Sequence, residues 1–417
     1  MGCFLRKCPI PERKECFRAA KAMVIMMTFQ EIKEQDRNYI IHSYGRVDVA
    51  LVKGRGAKAW DAEGKEYIDF TSGIGVNALG YCDSEWTAAV QKQAGEIQHL
   101  CNYYYSPENT ALAEELMKAS GMAKAFFCNS GAEANECAVK IARKWGEQKG
   151  AYRIVTLNNS FHGRTLTTLA ATGQDAFHQD FLPLTEGFVY AEGNNLDSVR
   201  ALLDGSVCAV LAETVQGEGG VVPMEEEFLQ GLRSLCDEKG VLLMLDEVQT
   251  GVGRTGSFYS YQGCGVRPDV VTTAKGLAGG LPIGACLVSE ALADILKPGM
   301  QGSTFGGNPV ACAGARVVVR RVSDPAFLQE VRDKGEYLSE KLLALPQVEA
   351  VRGRGMMLGV KLKGGLDAHE ILVRCAGQGL LILTAKELVR FLPPLNISCE
   401  EMDAGLAIFR RVLEESV

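Results

Sequence analysis

Between residues 76 and 305, short apolar runs alternate with amphipathic helical stretches, and no other feature of this 417-residue chain restricts its fold as much. AKAFFCN, YRIVTLN, SVCAVLAE, VLLMLDE and DVVTTAK read as strands, each followed by a helical or glycine-rich stretch. Strands joined through helices run parallel, and helices then cover both faces of the sheet. The expected fold class is therefore α/β, with a mostly parallel central sheet flanked by helices in a large domain. After GSTFGGNP (302–309) helical patterns dominate, broken by the strand candidates GMMLGVKL (355–362) and RFLPPLNI (390–397), which suggests a smaller α+β domain. Upstream, residues 49–70 read as short strands separated by glycine turns, hence a small meander. The expected division is an extension over 1–26, an N-terminal segment over 27–75 packing with the small domain, a large domain over 76–305 and a C-terminal small domain over 306–417.

Charge and cysteine usage remove several function classes. A formal charge of −7 and a pI near 5.5 argue against a nucleic-acid or anionic-membrane binder, either of which needs a concentrated basic surface. The 14 cysteines contain no CxxC pair, and the 5 histidines show no metal-ligand spacing, so neither a disulfide frame nor a metal site is expected. These features point to a reducing, cytoplasmic setting, and no apolar run reaches the ~18 residues of a membrane span. The first 26 residues carry six Lys or Arg and three cysteines but no signal-cleavage pattern, and Glu12, Glu15 and the lack of serine disfavour a mitochondrial presequence. They read as a dispensable extension.

In an open α/β sheet, ligands bind beyond the carboxyl ends of the strands, so the residues at those ends indicate the site. After AKAFFCN, Ser130 with Glu133 has the spacing of a capping box, and Ala134, Cys137, Ala138, Ile141 and Trp145 form one apolar stripe, which predicts a helix. Gly131 and Ala132 in its first turn leave backbone N–H groups open to a phosphate, although a well-capped helix can equally bind nothing. Phe161, His162 and Arg164 follow the next strand. An aromatic there can cover a flat ring and an arginine can grip a carboxylate, though core packing and a surface ion pair are the plain alternatives. Glu213 ends a third strand. Asp246 and Glu247 end VLLMLDE, which resembles the acidic strand of nucleotide hydrolases; the GxxxxGK[ST] loop that such an enzyme requires is absent. Lys275 ends DVVTTAK among alanine, glycine and leucine, surroundings that lower the basicity of an amine and favour the neutral form that condenses with a carbonyl.

Taken together, a phosphate turn, an aromatic plate, a buried carboxylate and an aldehyde-capturing lysine match the requirements of pyridoxal 5'-phosphate. The carboxylate of Asp246 would keep the pyridine nitrogen protonated, so that the ring draws electrons from the carbon being deprotonated.

The stretches AWDAEGKEYIDFTSGIGVNALG, FFCNSGAEANE, SFHGRT, VQGEGG, LLMLDEVQTGVGRTG, DVVTTAKGLAGGLPIGA, GSTFGGNP and RFLPPL occur in order over nearly everything after residue 45. In this the chain resembles the class III pyridoxal-phosphate aminotransferases of fold type I, and within them the acetylornithine branch. The resemblance implies that Lys275 bonds to the cofactor, Asp246 faces the pyridine nitrogen and Gln249 donates to the ring hydroxyl. It also implies that Ser130, Gly131 and Ala132 hold the phosphate, that Phe161 stacks on the ring, and that Val248 and Glu213 belong to the cofactor pocket. Thr304 resembles a phosphate ligand that reaches in from a neighbouring subunit of an obligate homodimer. Arg164 and Ser303 resemble substrate contacts, Arg390 the grip on the substrate α-carboxylate, and Glu213 the glutamate that pairs with that arginine.

Two departures stand out. GYCDSE replaces the GHxHP common after VNxLG, which alters the loop at the mouth of the site, and Ala132 replaces a frequent threonine, losing a hydroxyl donor but no backbone donor. The resemblance implies transfer of the terminal amino group of N2-acetylornithine to 2-oxoglutarate in arginine biosynthesis. Succinylornithine, ornithine, 4-aminobutyrate or acyl-lysine donors, a lyase, decarboxylase or racemase using the same cofactor, and a regulatory cofactor binder remain open as alternatives.

Overall fold

A computed structural model describes residues 27–416, so the reading of 1–26 lies outside the described residues. The chain forms two compact units, 27–53 with 60–65, and 54–59 with 66–416. In the first, Thr28 and Glu31 form a reciprocal cap on the helix Phe29–Tyr39, and the pairs Lys33–Asp48 (2.7 Å) and Arg46–Asp36 (2.9 Å) tie the segment that follows it. The expected meander region contains three short strands, Leu51–Arg55, Lys58–Asp61 and Glu66–Asp69.

The second unit is built on a seven-stranded sheet. Its spatial order is Lys124–Cys128, Gly284–Val288, Val270–Thr273, Leu242–Asp246, Val207–Glu213, Arg153–Leu157 and Phe188–Ala191. The sheet is parallel except for Gly284–Val288, which runs against both its neighbours. Sequence reading predicts five of these strands and misses two: the edge strand Phe188–Ala191 and Gly284–Val288. The latter directly follows a glycine-rich run, and a Cβ at Gly284 would collide with the carbonyl of Ser130.

Alternation along the central strands sorts their side chains onto two apolar layers. Val210, Ala212, Leu243, Leu245 and Val271 enter one core, while Ala209, Leu211, Leu242, Met244 and Val270 enter the other. Every residue of Val207–Glu213 and Leu242–Asp246 is buried, as a sheet covered on both faces requires. The second layer packs on helix Gly131–Gly146 through Cys137, Ala138, Ile141 and Ala142. Trp145, expected in that stripe, is 37% exposed. The buried face closes instead at Gly146, where any side chain would strike the backbone of Ala151.

Beyond residue 305, helix Pro309–Val322 packs on helices Ser84–Glu96 and Pro107–Ser120 and on the turn that carries Lys275. A four-stranded antiparallel sheet follows, in the order Val348–Arg354, Met357–Leu362, Leu388–Phe391 and Leu383–Ala385. The expected strand at 390–397 ends at Phe391, because Pro393 and Pro394 have no N–H to offer a ladder.

Candidate active site

The parallel register sets three functional positions side by side: Asp246 lies opposite Glu213 on one flank and Thr272 on the other. Three residues past Thr272, the chain turns at Lys275, whose φ of +36° is a left-handed value that a side chain rarely adopts. Such local strain persists where surrounding structure enforces it, and here the strand and the following short 3₁₀ turn Lys275–Ala278 do so.

Asp246 is 4% exposed. Its Oδ2 accepts from Asn135 Nδ2 at 2.8 Å and lies 2.8 Å from His162 Nδ1, while Oδ1 accepts from the Val248 N–H at 3.0 Å. A carboxylate can only accept, so the His162 proton sits on Nδ1. Asn135 also donates to the His162 carbonyl at 2.7 Å and accepts from Thr272 at 2.6 Å. The aspartate is thus tied to the helix, to the neighbouring strand and to the Phe161 loop. Among the described residues no lysine or arginine forms an ion pair with it.

Glu213 was expected to pair with Arg390. It does not: its carboxylate turns inward and accepts from the N–H groups of Phe161 (2.9 Å) and Gly217 (3.2 Å). Burial pushes its carboxyl up to about 7, with His162 opposing and Asp246 adding to the rise. The partner of Arg390 is Glu218, five residues on, in the turn beyond the strand. Arg390 Nη1 donates to Glu218 Oε1 at 2.7 Å and Nη2 to Oε2 at 3.4 Å. Strand geometry explains the exchange, because Glu213 is held in register with Asp246, whereas Glu218 lies on a glycine-flanked turn free to reach the arginine. Although burial pushes the Glu218 carboxyl up, Arg390 more than offsets this and holds it below its ordinary value.

Gln249 bridges the same pair. Its Nε2 donates to Glu218 at 3.3 Å and its Oε1 accepts from Arg390 at 3.2 Å. The approach requires glycine at 217, where a Cβ would overlap the Gln249 amide. Lys275 is partly buried, and desolvation lowers its pKa; Glu218, Asp246 and Glu213 oppose that shift and Arg390 adds to it.

Ser130 caps Gly131–Gly146 by accepting from the Glu133 N–H at 3.2 Å, and the Glu133 carboxylate accepts in return from the Asn129 N–H at 2.7 Å and the Ser130 hydroxyl at 3.2 Å. The N–H groups of Gly131 and Ala132 have no acceptor among the described residues. Gly131 abuts Val248, leaving 2.7 Å between a would-be Cβ and Val248 Cγ1. Ser303 Oγ accepts from Asn129 at 3.2 Å, which brings its loop to this helix end, while Thr304 beside it is exposed. Arg164 is exposed and lies over Phe161 and Phe177, with its guanidinium carbon 5.5 and 4.2 Å from the two ring centroids.

Contacts link the predicted site residues in this region except Thr304 and Lys275, the latter placed just past the end of its strand and felt by the charges of Glu218, Arg390, Asp246 and Glu213. Sequence reasoning missed Asn135 and Glu218, and named His162 at its strand end without giving it a role. An asparagine on the apolar face of a helix is a usable signal for Asn135, whereas Glu218 lies inside a quoted motif without an individual mark.

The donor set suits pyridoxal 5'-phosphate. It offers unclaimed first-turn N–H groups for a phosphate, a buried anion without a Lys or Arg partner for a pyridinium, and a desolvated amine for an aldehyde. His162 Nε2 and Arg390 Nε are buried polar atoms with no partner among the described residues, so the region is not closed on itself.

The Aminotransferase class-III family profile matches residues 39–413. Acetylornithine aminotransferase of Haemophilus ducreyi is 46% identical over 393 residues, covering 93% of this chain and 100% of that protein. Among solved structures, ornithine aminotransferase from Toxoplasma gondii superposes with a TM-score of 0.89 at 30% identity, covering 99% of this chain and 100% of that one. N-acetylornithine aminotransferase from Stenotrophomonas maltophilia gives 0.79 at 38% identity, covering 92% of this chain and 98% of that one. The chain belongs to the class III aminotransferases, enzymes that work with pyridoxal 5'-phosphate.

Proposed function

We propose that this enzyme transfers the terminal amino group of N2-acetylornithine to 2-oxoglutarate, giving N-acetylglutamate 5-semialdehyde and glutamate, a step of arginine biosynthesis. The observation that carries the reading is the Arg390–Glu218 pair beside a lysine of depressed basicity. The donor reacts at a carbon with no carboxylate, whereas the acceptor reacts next to one. An arginine that Glu218 neutralises in one half-reaction and releases in the other lets a single site serve both. The choice of acetylornithine rests on the 46%-identical relative of that name.

When bound, the cofactor supplies an aldehyde that takes up the amino group and a ring that draws electrons from the carbon being deprotonated. The chain supplies the rest. Lys275 Nζ, desolvated and hence available as a free amine, would lift the proton from the substrate carbon and deliver it to the carbon that carried the cofactor's aldehyde, acting as base and then acid. Asp246, fixed by Asn135, His162 and Val248, presents its negative charge to the ring nitrogen. Phe161 would cover the ring, Gln249 would reach the ring hydroxyl, and Ser130, Gly131 and Ala132 would hold the phosphate. Glu213 and Val248 wall the cofactor pocket. Arg164 and Ser303 meet the substrate at its end remote from the reacting carbon, and Arg390 grips the α-carboxylate of 2-oxoglutarate.

We also infer a cytoplasmic homodimer in which Thr304 reaches the partner's phosphate site. Its exposure, together with that of Phe305 (61%), supports this reading. The working division within the second unit is a large domain to residue 305 and a small domain from 306. A panel of amine donors followed through single half-reactions by cofactor absorbance tests the substrate. Acetylornithine should react fastest; ornithine or 4-aminobutyrate matching it would replace the assignment. Ornithine is the named second reading because the Toxoplasma enzyme shares the fold so closely.

A further inference from the structure

Arg164 has no hydrogen bond or ion pair among the described residues; its recorded contacts are two aromatic rings. The nearer is Phe177, which lies outside every motif that carries the chemistry. We propose that Phe177 is a positioning residue: its ring face fixes the Arg164 guanidinium at a set distance from Phe161, and so determines which carboxylate-bearing substrates the site holds well. This rests on the reading of Arg164 as the grip on the remote carboxylate.

The geometry favours a clamp over chance packing. A guanidinium stacked on a ring uses its flat face and keeps its in-plane N–H edges free, whereas an ion-pair partner would occupy the edges that a substrate carboxylate needs. Phe161 and Phe177 meet edge to face, centroids 6.0 Å apart at 77°, so the proposed ring cover, the clamp and the arginine form one aromatic–cation cluster. The turn bearing Phe177 is anchored to the Phe161 loop at several points. Gln174 Nε2 donates to the Ser160 carbonyl at 3.0 Å, the Gly173 N–H donates to Ser160 Oγ at 3.0 Å, and the His162 N–H donates to Thr172 Oγ1 at 3.0 Å. On the other side, His178 Nε2 lies 2.8 Å from the Thr172 carbonyl and 3.0 Å from that of Leu169. Phe177 is thereby held between two fixed neighbours in a loop that would otherwise have little reason to be rigid. Through Phe161, this cluster would set how far the gripping N–H groups stand from the bound cofactor, and with it the preferred chain length of the donor.

The test uses the holoenzyme and compares substitutions that keep or remove the aromatic face. Phe177→Leu should raise the donor KM, and the dissociation constant of glutarate as an unreactive five-carbon dicarboxylate, by about five- to tenfold, with kcat changed less than about twofold. Phe177→Tyr should stay within about twofold of the parent in all three. Melting temperature and cofactor content are recorded for each, and Phe177→Met replaces the leucine variant should that one fail to fold. Equal losses in the leucine and tyrosine variants, or a fall in kcat at constant KM, would overturn the clamp by showing a packing role. Arg164→Gln separates the levels. If it weakens glutarate while Phe177→Leu does not, only the clamp falls; if it leaves glutarate unaffected, the reading of Arg164 falls and the clamp with it.

Discussion

The Asp246 end of the sheet and the Arg390 end of the small antiparallel sheet are both buried and charged, yet they are built in opposite ways. Asp246 is held by a histidine ring, an asparagine and a backbone N–H that reach it from three different segments. Arg390 is held by side chains alone, the Glu218 carboxylate and the Gln249 amide, and Glu218 stands on a glycine-flanked turn with 30% of its side chain exposed. A charge that serves one permanent partner can be fixed by the fold, whereas a charge that must meet two unlike substrates needs a partner able to leave.

Four substitutions would break or sharpen that contrast. The largest effect is expected for Lys275→Ala, which removes the amine proposed to bond the cofactor and to move the proton; kcat should fall by about four decades. Asp246→Ala comes next. Stripping a buried pyridinium of its partner costs roughly 3–5 kcal/mol, so turnover should drop by about two to four decades, and near-normal turnover would contradict the electron-drawing role. Asn135→Leu removes one charge-assisted bond to Asp246 while leaving the anion in place. It should weaken cofactor binding to the apoenzyme by roughly ten- to a hundredfold, read from the dissociation constant. Glu218→Gln should disturb the locked end little and the exchangeable end clearly. The rate ratio of the two half-reactions should shift about tenfold towards 2-oxoglutarate, because Arg390 is then always available. A fall in both half-reactions alike would show that Glu218 is structural.

Much of the locked end was legible in the sequence, and less of the exchangeable end. Asp246 and Lys275 stand out because a charge closing an apolar strand has no structural reason to be there, and strand order then brings such ends together. Glu213 carries the same mark and so attracted the arginine-pairing role, but register binds it beside Asp246. Choosing between Glu213 and Glu218 requires knowing where the strand stops and the turn begins. Asn135 and His162 act through hydrogen bonds between segments about a hundred residues apart, and no local pattern encodes those. The fold behaved likewise. Runs flanked by helices read as strands, whereas the antiparallel Gly284–Val288 and the edge strand Phe188–Ala191 do not, since neither fits the strand–helix–strand rhythm.

The smallest effect on turnover is expected at Glu247, next to Asp246 but facing away from the chemistry. It accepts from Thr250 Oγ1 (2.6 Å), the Tyr261 N–H (2.9 Å) and the Ser260 N–H (3.1 Å), and burial pushes its carboxyl up to about 7 against those bonds. A raised folded-state value means that the protonated form stabilises the fold. The contribution is complete below the ordinary value of 4.5 and is lost as pH rises through about 7. Glu247→Gln should therefore flatten the fall in unfolding temperature between about pH 4.5 and 7, with Glu213 contributing to the slope that remains. An unchanged slope would place the titration elsewhere.

The central claim is that one amine, on Lys275, and one anion, on Asp246, face the same cofactor ring. Borohydride reduction of the holoenzyme followed by peptide mapping tests it most directly, because reduction fixes the cofactor to whichever amine it has joined. The account predicts a single labelled peptide modified at Lys275, with labelling abolished in Lys275→Ala. A label on another lysine, or none in the intact holoenzyme, would contradict it.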